Sequence, residues 1–163
     1  MAYKPLIVLA GGSGYLGRLL MEQLAPYYHF LVLGRYPRKL ARSDYKVYPK
    51  SPEEAAALME GAYALINLAG KSVDCRYTEQ NKAEIMASRV DTTHYLAHAI
   101  QHCVQPPKVW VNLSSATIYP DSQTPQREVS PTPGGNFSEE VCLAWENAFY
   151  NEETPRTRKV ALR

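Results

Sequence analysis

Glycines at a fixed spacing directly after an apolar run constrain this chain more than any other feature. The run is Leu6–Ala10, and residues 11–17 read GGSGYLG. A continuous apolar run is typical of a strand covered on both faces. The segment fits G-x-x-G-x-x-G from Gly11 and G-x-G-x-x-G from Gly12, and Tyr15–Leu24 continues with apolar residues at helical spacing. A glycine-rich turn that joins the first strand to a helix is typical of dinucleotide-binding domains.

Glycine has three uses in such a turn: it allows a tight bend, close approach of the backbone to a pyrophosphate, and close packing of helix on strand. The exposed N–H groups and the positive dipole end of the helix then attract phosphate oxygens. We therefore predict that the whole turn holds the pyrophosphate, largely through its backbone: Gly11, Gly12, Ser13, Gly14, Tyr15, Leu16 and Gly17. The alternative is a glycine turn without a ligand.

Short β-rich runs alternate with longer helical segments along the rest of the chain. The predicted strands are Leu6–Ala10, 30–33, 46–48, 64–69, Val109–Leu113 and 159–162, and the predicted helices are Tyr15–Leu24, Pro52–Met59, 78–104 and 138–150. Such alternation predicts an α/β fold, a Rossmann-type doubly wound parallel sheet of about six strands with helices on both faces. Its ligand is expected at the carboxyl ends of the strands, where the strand order reverses.

The residue that distinguishes NAD from NADP lies about 20 residues beyond the glycines. An acidic residue there binds the ribose hydroxyls of NAD, but this chain has Arg35 and Arg38, and its next acidic residue is Asp44. A guanidinium can form charge-assisted bonds with a 2′-phosphate. The sequence therefore favours NADP over NAD as cofactor, the alternative being that both arginines are solvated loop cations.

Composition argues against several other classes of function. The net charge is +2 with no block of basic residues, so no nucleic-acid partner is expected. No apolar stretch approaches the ~20 residues of a membrane span. Three widely spaced cysteines predict reduced thiols in a cytoplasmic protein rather than a disulfide framework or a zinc site. His94, His98 and His102 share one helical face, but no carboxylate joins them at that spacing, so no metal site is predicted.

Several of these segments coincide with one known pattern. The chain resembles the extended short-chain dehydrogenase/reductases, the NAD(P)-dependent epimerase and dehydratase group. The resemblance rests on the glycine turn and on the ends of the fourth and fifth strands, residues 67–70 (NLAG) and 114–119 (SSATIY). More narrowly it is similar to an atypical epimerase-family branch of unassigned substrate, through Arg76–Glu79, Lys82, Ser88–Val90, Thr92, Thr93, Cys142, Trp145 and Glu146.

The resemblance implies an oxidoreductase that acts on a sugar nucleotide or a similar hydroxyl or carbonyl substrate. It implies that Leu68, Ala69, Gly70 and Ser114 line the cofactor, and that Ser115 bonds the reacting hydroxyl or carbonyl beside the nicotinamide. It also implies a homodimer that pairs through the two long helices. In that family a substrate-binding lobe follows the sixth strand, so residues 1–163 are expected to be the nucleotide-binding domain without this lobe.

The catalytic pair of that family, Tyr-x-x-x-Lys, is missing. None of the twelve tyrosines has a lysine four residues on. With Glu146 as the anchor of the register, the tyrosine falls at Ser138, the lysine at Cys142 and the family's helical asparagine at Arg89.

Tyr119 and Glu146 are the remaining candidates for proton transfer, the alternatives being a packing role for Tyr119 and a surface or capping role for Glu146. Two functions stay open: an epimerase or reductase that works without the pair, and a redox-inert NADP(H)-sensing or protein-interaction module.

Overall fold

A six-stranded, wholly parallel sheet forms the centre of the computed structural model, which describes residues 3–34, 45–47, 49–128 and 135–163. The strands are β1 Leu6–Ala10, β2 His29–Leu33, β3 Tyr45–Val47, β4 Ala64–Asn67, β5 Val109–Leu113 and β6 Arg158–Leu162. Their order across the sheet is β3-β2-β1-β4-β5-β6. This is the order of the doubly wound dinucleotide-binding fold. The predicted fold class is therefore confirmed.

Four helices connect the strands: α1 Tyr15–Leu24, α2 Pro52–Met59, α3 Glu79–His102 and α4 Phe137–Asn151, with a short 3-10 helix at Ala116–Ile118. The first two have the predicted bounds. Helix α3 begins one residue later than predicted because Thr78 is its N-cap, accepting the amide of Asn81 at 3.2 Å. Its C-cap is Cys103, whose extended backbone ends the helix two residues earlier than predicted.

The core lies on both faces of the sheet, as the alternation of strand side chains requires. Ile7 and Leu9 of β1 pack with Met21 of α1 on one face, whereas Val8 and Ala10 belong to the cluster on the other face. That second cluster includes residues of α2, α3 and α4, and its largest aromatic contact is an edge-to-face pair, Trp110 with Phe149, at 4.6 Å between ring centroids. Among the described residues, no helix has the length and apolar character that crossing a bilayer requires.

The strand order reverses at β1, which pairs with β2 on one side and β4 on the other. Backbone bonds continue the pairing just past the strand ends: Gly11 N–H donates to Leu33 O at 2.9 Å, and Leu68 N–H donates to Ala10 O at 2.8 Å. The chain segments that follow β1 and β4 therefore leave the sheet side by side. Strand β4 is shorter than the predicted 64–69, because the side chain of Asn67 turns the backbone by accepting the amide of Ala69 at 3.1 Å.

Candidate active site

The first part of the site is the glycine turn, which is held tightly by backbone packing. Gly11 has φ +74°, and a Cβ added to it would lie 2.7 Å from the Cα of Ala69. A Cβ on Gly17 would lie 2.1 Å from the carbonyl oxygen of Gly12. Side chains at these two positions would collide with backbone atoms that cannot move aside cheaply. The two glycines therefore set the shape of the turn.

Gly14 differs from the glycines on either side of it. Its φ is −78°, and a Cβ added to it would meet only the carbonyl oxygen of Gly11, at 3.9 Å. Nothing within the described protein requires glycine here, so the missing side chain leaves space at the surface. A pyrophosphate approaching the backbone needs such a space. The turn therefore fits a dinucleotide.

Helix α1 begins at this turn with an uncompensated N-terminus. Its N-cap, Gly14, has no side chain to accept an amide, and no acidic residue occupies its first turn. The other three helices are each capped by a side chain and carry acids in the first turn; their caps are Ser51, Thr78 and Asn136. The first amides of a helix and the positive end of its dipole attract an anion. Tyr15 is 73% exposed and Leu16 is exposed, so both would contribute through their backbone amides.

A cleft of about 280 Å³ lies beside the turn and shares Ala69 with it. It is bounded by the ends of β4 and β5 and by α3 and α4. All five residues that the sequence assigned to these strand ends line it: Leu68, Ala69, Gly70, Ser114 and Ser115. Arg89, Ser138 and Cys142, the three positions at which the sequence predicts that the family's relay is replaced, line the same cleft.

Ser115 begins a short chain of polar groups across the cleft wall. Its Oγ accepts the amide of Thr117 at 3.2 Å and the hydroxyl of Thr117 at 3.0 Å. The same Thr117 hydroxyl lies 3.2 Å from the Sγ of Cys142. A hydroxyl, a second hydroxyl and a thiol are therefore in contact along the wall of the cleft.

Ser114 belongs to a different network, centred on the buried carboxylate of Glu146. The Ser114 hydroxyl donates to Glu146 Oε1 at 2.5 Å, and Arg163 holds both carboxylate oxygens, with Nε donating to Oε1 at 2.9 Å and Nη2 to Oε2 at 2.7 Å. Nη1 of Arg163 donates to the hydroxyl of Tyr119 at 2.8 Å. Tyr119 is not among the residues that line the cleft. Glu146 is 6% exposed, so the surface or capping role considered for it is wrong.

Opposing effects act on the pKa of Glu146. Burial alone would raise it, but the hydrogen bonds from Arg163 and Ser114, together with the positive charge of Arg163, outweigh burial and hold the pKa below its ordinary value. Glu146 is therefore a fixed anion that anchors the end of β5 and the end of β6, rather than a group poised to exchange protons with a ligand.

Two asparagines position the backbone at the β4 side of the cleft. Asn67 and Asn112 face each other on β4 and β5, and both are fully buried. The Asn67 amide group donates to Asn112 Oδ1 at 2.7 Å, while its own Oδ1 accepts the amide of Ala69. The bend that carries residues 68–70 into the cleft depends on this pair. Asn112 gave no signal in the sequence, because its role needs a partner 45 residues away.

Arg35 and Arg38, the predicted ligands of a 2′-phosphate, lie outside the described residues. Within the described part of the chain, no group of three or more His, Cys, Asp or Glu side chains converges to hold a metal ion. His94 instead contacts Glu152, with 2.5 Å between Nδ1 and Oε1, and His102 contacts Glu53 at 3.3 Å.

Comparison with known proteins gives one consistent family. The model of the NAD dependent epimerase/dehydratase family matches residues 7–140. The human epimerase family protein SDR39U1 is 30% identical over 147 residues, covering 87% of this chain and 48% of the human protein. YfhF of Bacillus subtilis, another epimerase family protein, is 30% identical over 161 residues, covering 96% of this chain and 53% of its own length.

Solved structures agree with this. The crystal structure of human SDR39U1 with NADPH superimposes with a TM-score of 0.81 at 29% identity, over 97% of this chain and 52% of the human chain. MoeE5 in complex with UDP-glucose and NAD shares the fold, with a TM-score of 0.76 at 19% identity, over 96% of this chain and 53% of MoeE5. The chain thus spans about half the length of these relatives.

Proposed function

The chain belongs to the NAD dependent epimerase/dehydratase family, and on that premise we propose that residues 1–163 form the NAD(P)-binding domain of an epimerase- or reductase-like oxidoreductase. The observation that carries this proposal is the contrast at the helix N-termini. Only α1, among the helices described, lacks both a side-chain cap and an acidic first turn, and it begins at a glycine that leaves open space. Backbone amides at this point suit a pyrophosphate.

NADP is the proposed cofactor, with NAD less favoured. Arg35 and Arg38 occupy the place where an acidic residue would bind the ribose of NAD. The crystal structure of the human relative contains NADPH, which supports the proposal. When bound, the nicotinamide supplies the transfer of a hydride.

The chain's own residues would hold the substrate and the cofactor in one cleft. Leu68, Ala69 and Gly70 form the wall on the cofactor side, and Ser115 offers a hydroxyl to the reacting oxygen of a hydroxyl or carbonyl substrate, nucleotide sugars included. Ser138 and Cys142 line the same cleft, and the register anchored at Glu146 assigns them the positions of the usual tyrosine and lysine. Tyr119 stays a predicted proton donor, although its hydroxyl is bonded to Arg163. Proton transfer would therefore differ from that of the ordinary family member.

The replaced relay favours a second candidate function, a redox-inert NADP(H)-sensing or protein-interaction module. No tyrosine has a lysine four residues on, and the cleft wall carries a serine and a thiol instead. These groups leave cofactor binding intact while removing the usual route for the proton.

Isothermal titration of the chain with NADPH, NADP⁺, NADH and NAD⁺ tests the proposal. We expect binding of one molecule per chain, with the 2′-phosphate forms at least about tenfold tighter. Replacing Arg35 with Asp should remove that difference, and equal affinities before and after the change would contradict the assignment of NADP. Oxidation of NADPH with a panel of carbonyl compounds and nucleotide sugars, using a chain that includes any further domain, separates the enzyme from the sensor. Failure of all four nucleotides to bind would overturn the proposed function.

A further inference from the structure

Arg89 is a charged side chain in the wall of the cleft without a carboxylate partner. No ion pair between described residues includes it. The ionisable groups that act on it are the Cys142 thiol and the Tyr77 phenol; burial lowers the pKa of Arg89, and the anions of those two groups would raise it. An arginine stays protonated in proteins. A partly buried, unpaired cation is unfavourable unless something else supplies the anion.

One edge of the Arg89 guanidinium is already occupied. Its Nη1 donates to the carbonyl oxygen of Lys71 at 3.2 Å and to that of Ile85 at 3.1 Å. The other edge, Nε and Nη2, has no acceptor among the residues that the structure describes. Guanidinium groups hold carboxylates through two parallel N–H donors, and that pair of donors is available here.

Arg163 shows in the same structure what this edge can bind. It uses Nε and Nη2 to hold both oxygens of Glu146, and it uses Nη1 for the Tyr119 hydroxyl and the carbonyl oxygen of Glu128. Arg89 likewise donates two hydrogen bonds from Nη1, but no carboxylate accepts from its Nε and Nη2. The two arginines therefore differ by one carboxylate group.

The guanidinium of Arg89 is also fixed in position before any ligand arrives. The group packs closely on Gly70, because a Cβ added there would lie only 3.1 Å from its Cζ and the guanidinium would have to shift. The ring centroid of Trp145 lies 5.3 Å from the same Cζ. Two backbone carbonyls and an aromatic ring thus hold the group, which reduces the entropy that ligand binding would cost.

We propose that Arg89 determines substrate specificity by binding a carboxylate through Nε and Nη2, so that the substrate is a small carboxylic acid bearing the reacting hydroxyl or carbonyl. This deepens the proposed function and rests on it. Arg89 and Ser115 line one cleft of about 280 Å³, so a small molecule can contact both. The remaining lining includes Ile85, Val141 and Trp145, which suits an apolar body between the two polar groups.

The test compares a carboxylate with its uncharged ester. The chain saturated with NADPH is titrated with 2-oxo-4-methylpentanoate and, separately, with its methyl ester; isothermal titration measures the affinity in the parent and in every variant, and NMR follows the Nε–Hε resonance of Arg89 in the parent chain. We expect the acid to shift that resonance and to bind at least about tenfold more tightly than the ester. Arg89→Met should weaken binding of the acid at least about tenfold and leave the ester unchanged. Arg89→Lys keeps the positive charge but not the two parallel N–H donors. Its affinity for the acid should therefore lie between those of the parent and Arg89→Met.

Arg158→Met is the matched control, because it removes the same charge from an exposed position on β6. It should leave both ligands unaffected, and unchanged NADPH affinity shows that each variant is folded. Equal binding of acid and ester, an unaffected Arg89→Met variant, or tighter binding of inorganic phosphate than of the acid at the Arg89 resonance would each overturn the carboxylate assignment. If the parent chain fails to bind NADPH, the proposed function fails, and the same titration without cofactor still decides the role of Arg89.

Discussion

The two sides of the cleft differ in what forms them: one is mainly backbone and the other is mainly side chains. The side on which we propose that the cofactor binds is backbone: glycines at 11, 14 and 17 shape the turn before α1, and Gly14 leaves open space there. The opposite side, formed by α3 and α4, is made of side chains, among them Arg89, Ser138 and Cys142, where the resemblance predicts the family's relay to be replaced. The first side keeps the glycine pattern G-x-x-G-x-x-G, whereas the second is predicted to depart from the family pattern at these three positions.

The difference has a physical cause. Where the turn depends on close backbone contacts, at Gly11 and Gly17, it admits almost no replacement, because a Cβ there collides with another main-chain atom. A wall of side chains can exchange one group for another of tolerable volume without altering the sheet or the helices. Binding of the cofactor and chemistry on the substrate are therefore separable in this fold, and variants on the two sides should fail in different ways.

The largest effect is expected from Gly17→Ala on the cofactor side. The new Cβ would lie 2.1 Å from the carbonyl oxygen of Gly12, and helix α1 would have to move off the turn. We expect a loss of about 3 kcal/mol in the free energy of unfolding, measured by urea denaturation. Arg18→Ala, the exposed neighbour on α1, should change it by less than about 0.5 kcal/mol. If Gly17→Ala were as stable as the parent, the close contact between Gly17 and the backbone of Gly12 would not be what requires glycine here.

The second largest effect is expected at Glu146, the buried carboxylate of α4. Glu146→Gln removes the anion that Arg163 and Ser114 hold, and leaves a half-buried guanidinium without its partner. We expect a loss of about 2 kcal/mol in the free energy of unfolding, with Glu153→Gln, exposed just beyond the same helix, as the near-neutral control. A loss as small as that of the control would mean that the network contributes little.

The pH dependence of that loss has a definite sign. The folded pKa of Glu146 lies below its ordinary value of 4.5, because the bonds from Arg163 and Ser114 outweigh burial. Its contribution to stability is therefore complete above the ordinary value and disappears as the pH falls through the lower, folded value. The difference in stability between the parent and Glu146→Gln should be constant near neutral pH and shrink below about pH 4.5. A difference that grows on acidification would contradict the direction of the shift.

The fold was predictable because its signals are local. Apolar runs, the glycine turn and Pro52 after Ser51 each act within a few residues, and they predicted the bounds of α1 and α2. The site was only half predictable for the same reason. The turn is local, but the burial of Glu146 depends on Ser114, 32 residues away, and on Arg163, 17 residues on. No periodicity carries such pairings.

A pair of variants separates binding from stability at the turn. Gly14→Ala places a methyl group where the protein itself has space, so stability should hold while affinity for NADPH falls at least about tenfold. Gly61→Ala should change stability rather than affinity. Nothing lies within 4 Å of a Cβ at Gly61, but its φ of +68° strains any other residue. We therefore expect the free energy of unfolding to fall by about 1 kcal/mol while the affinity for NADPH is unchanged. Thermal unfolding and titration of both variants measure this. If Gly14→Ala bound NADPH as the parent does, the pyrophosphate would not lie at this glycine.

The smallest effect compares a buried thiol of the core with a partly exposed one. Burial, and to a lesser degree the nearby Glu60 carboxylate, raise the pKa of Cys103 to about 11, although Arg156 opposes them. At pH 8 only about one such thiol in a thousand is ionised, and the thiolate is the form that reacts. Iodoacetamide at pH 8 should therefore label the more exposed Cys75 first and leave Cys103 unmodified in the folded chain, as mass spectrometry of the peptides can show. Labelling of Cys103 at the rate of Cys75 would mean that the core between α2 and α3 opens readily. The layer behind the cleft would then be less rigid than the glycine turn.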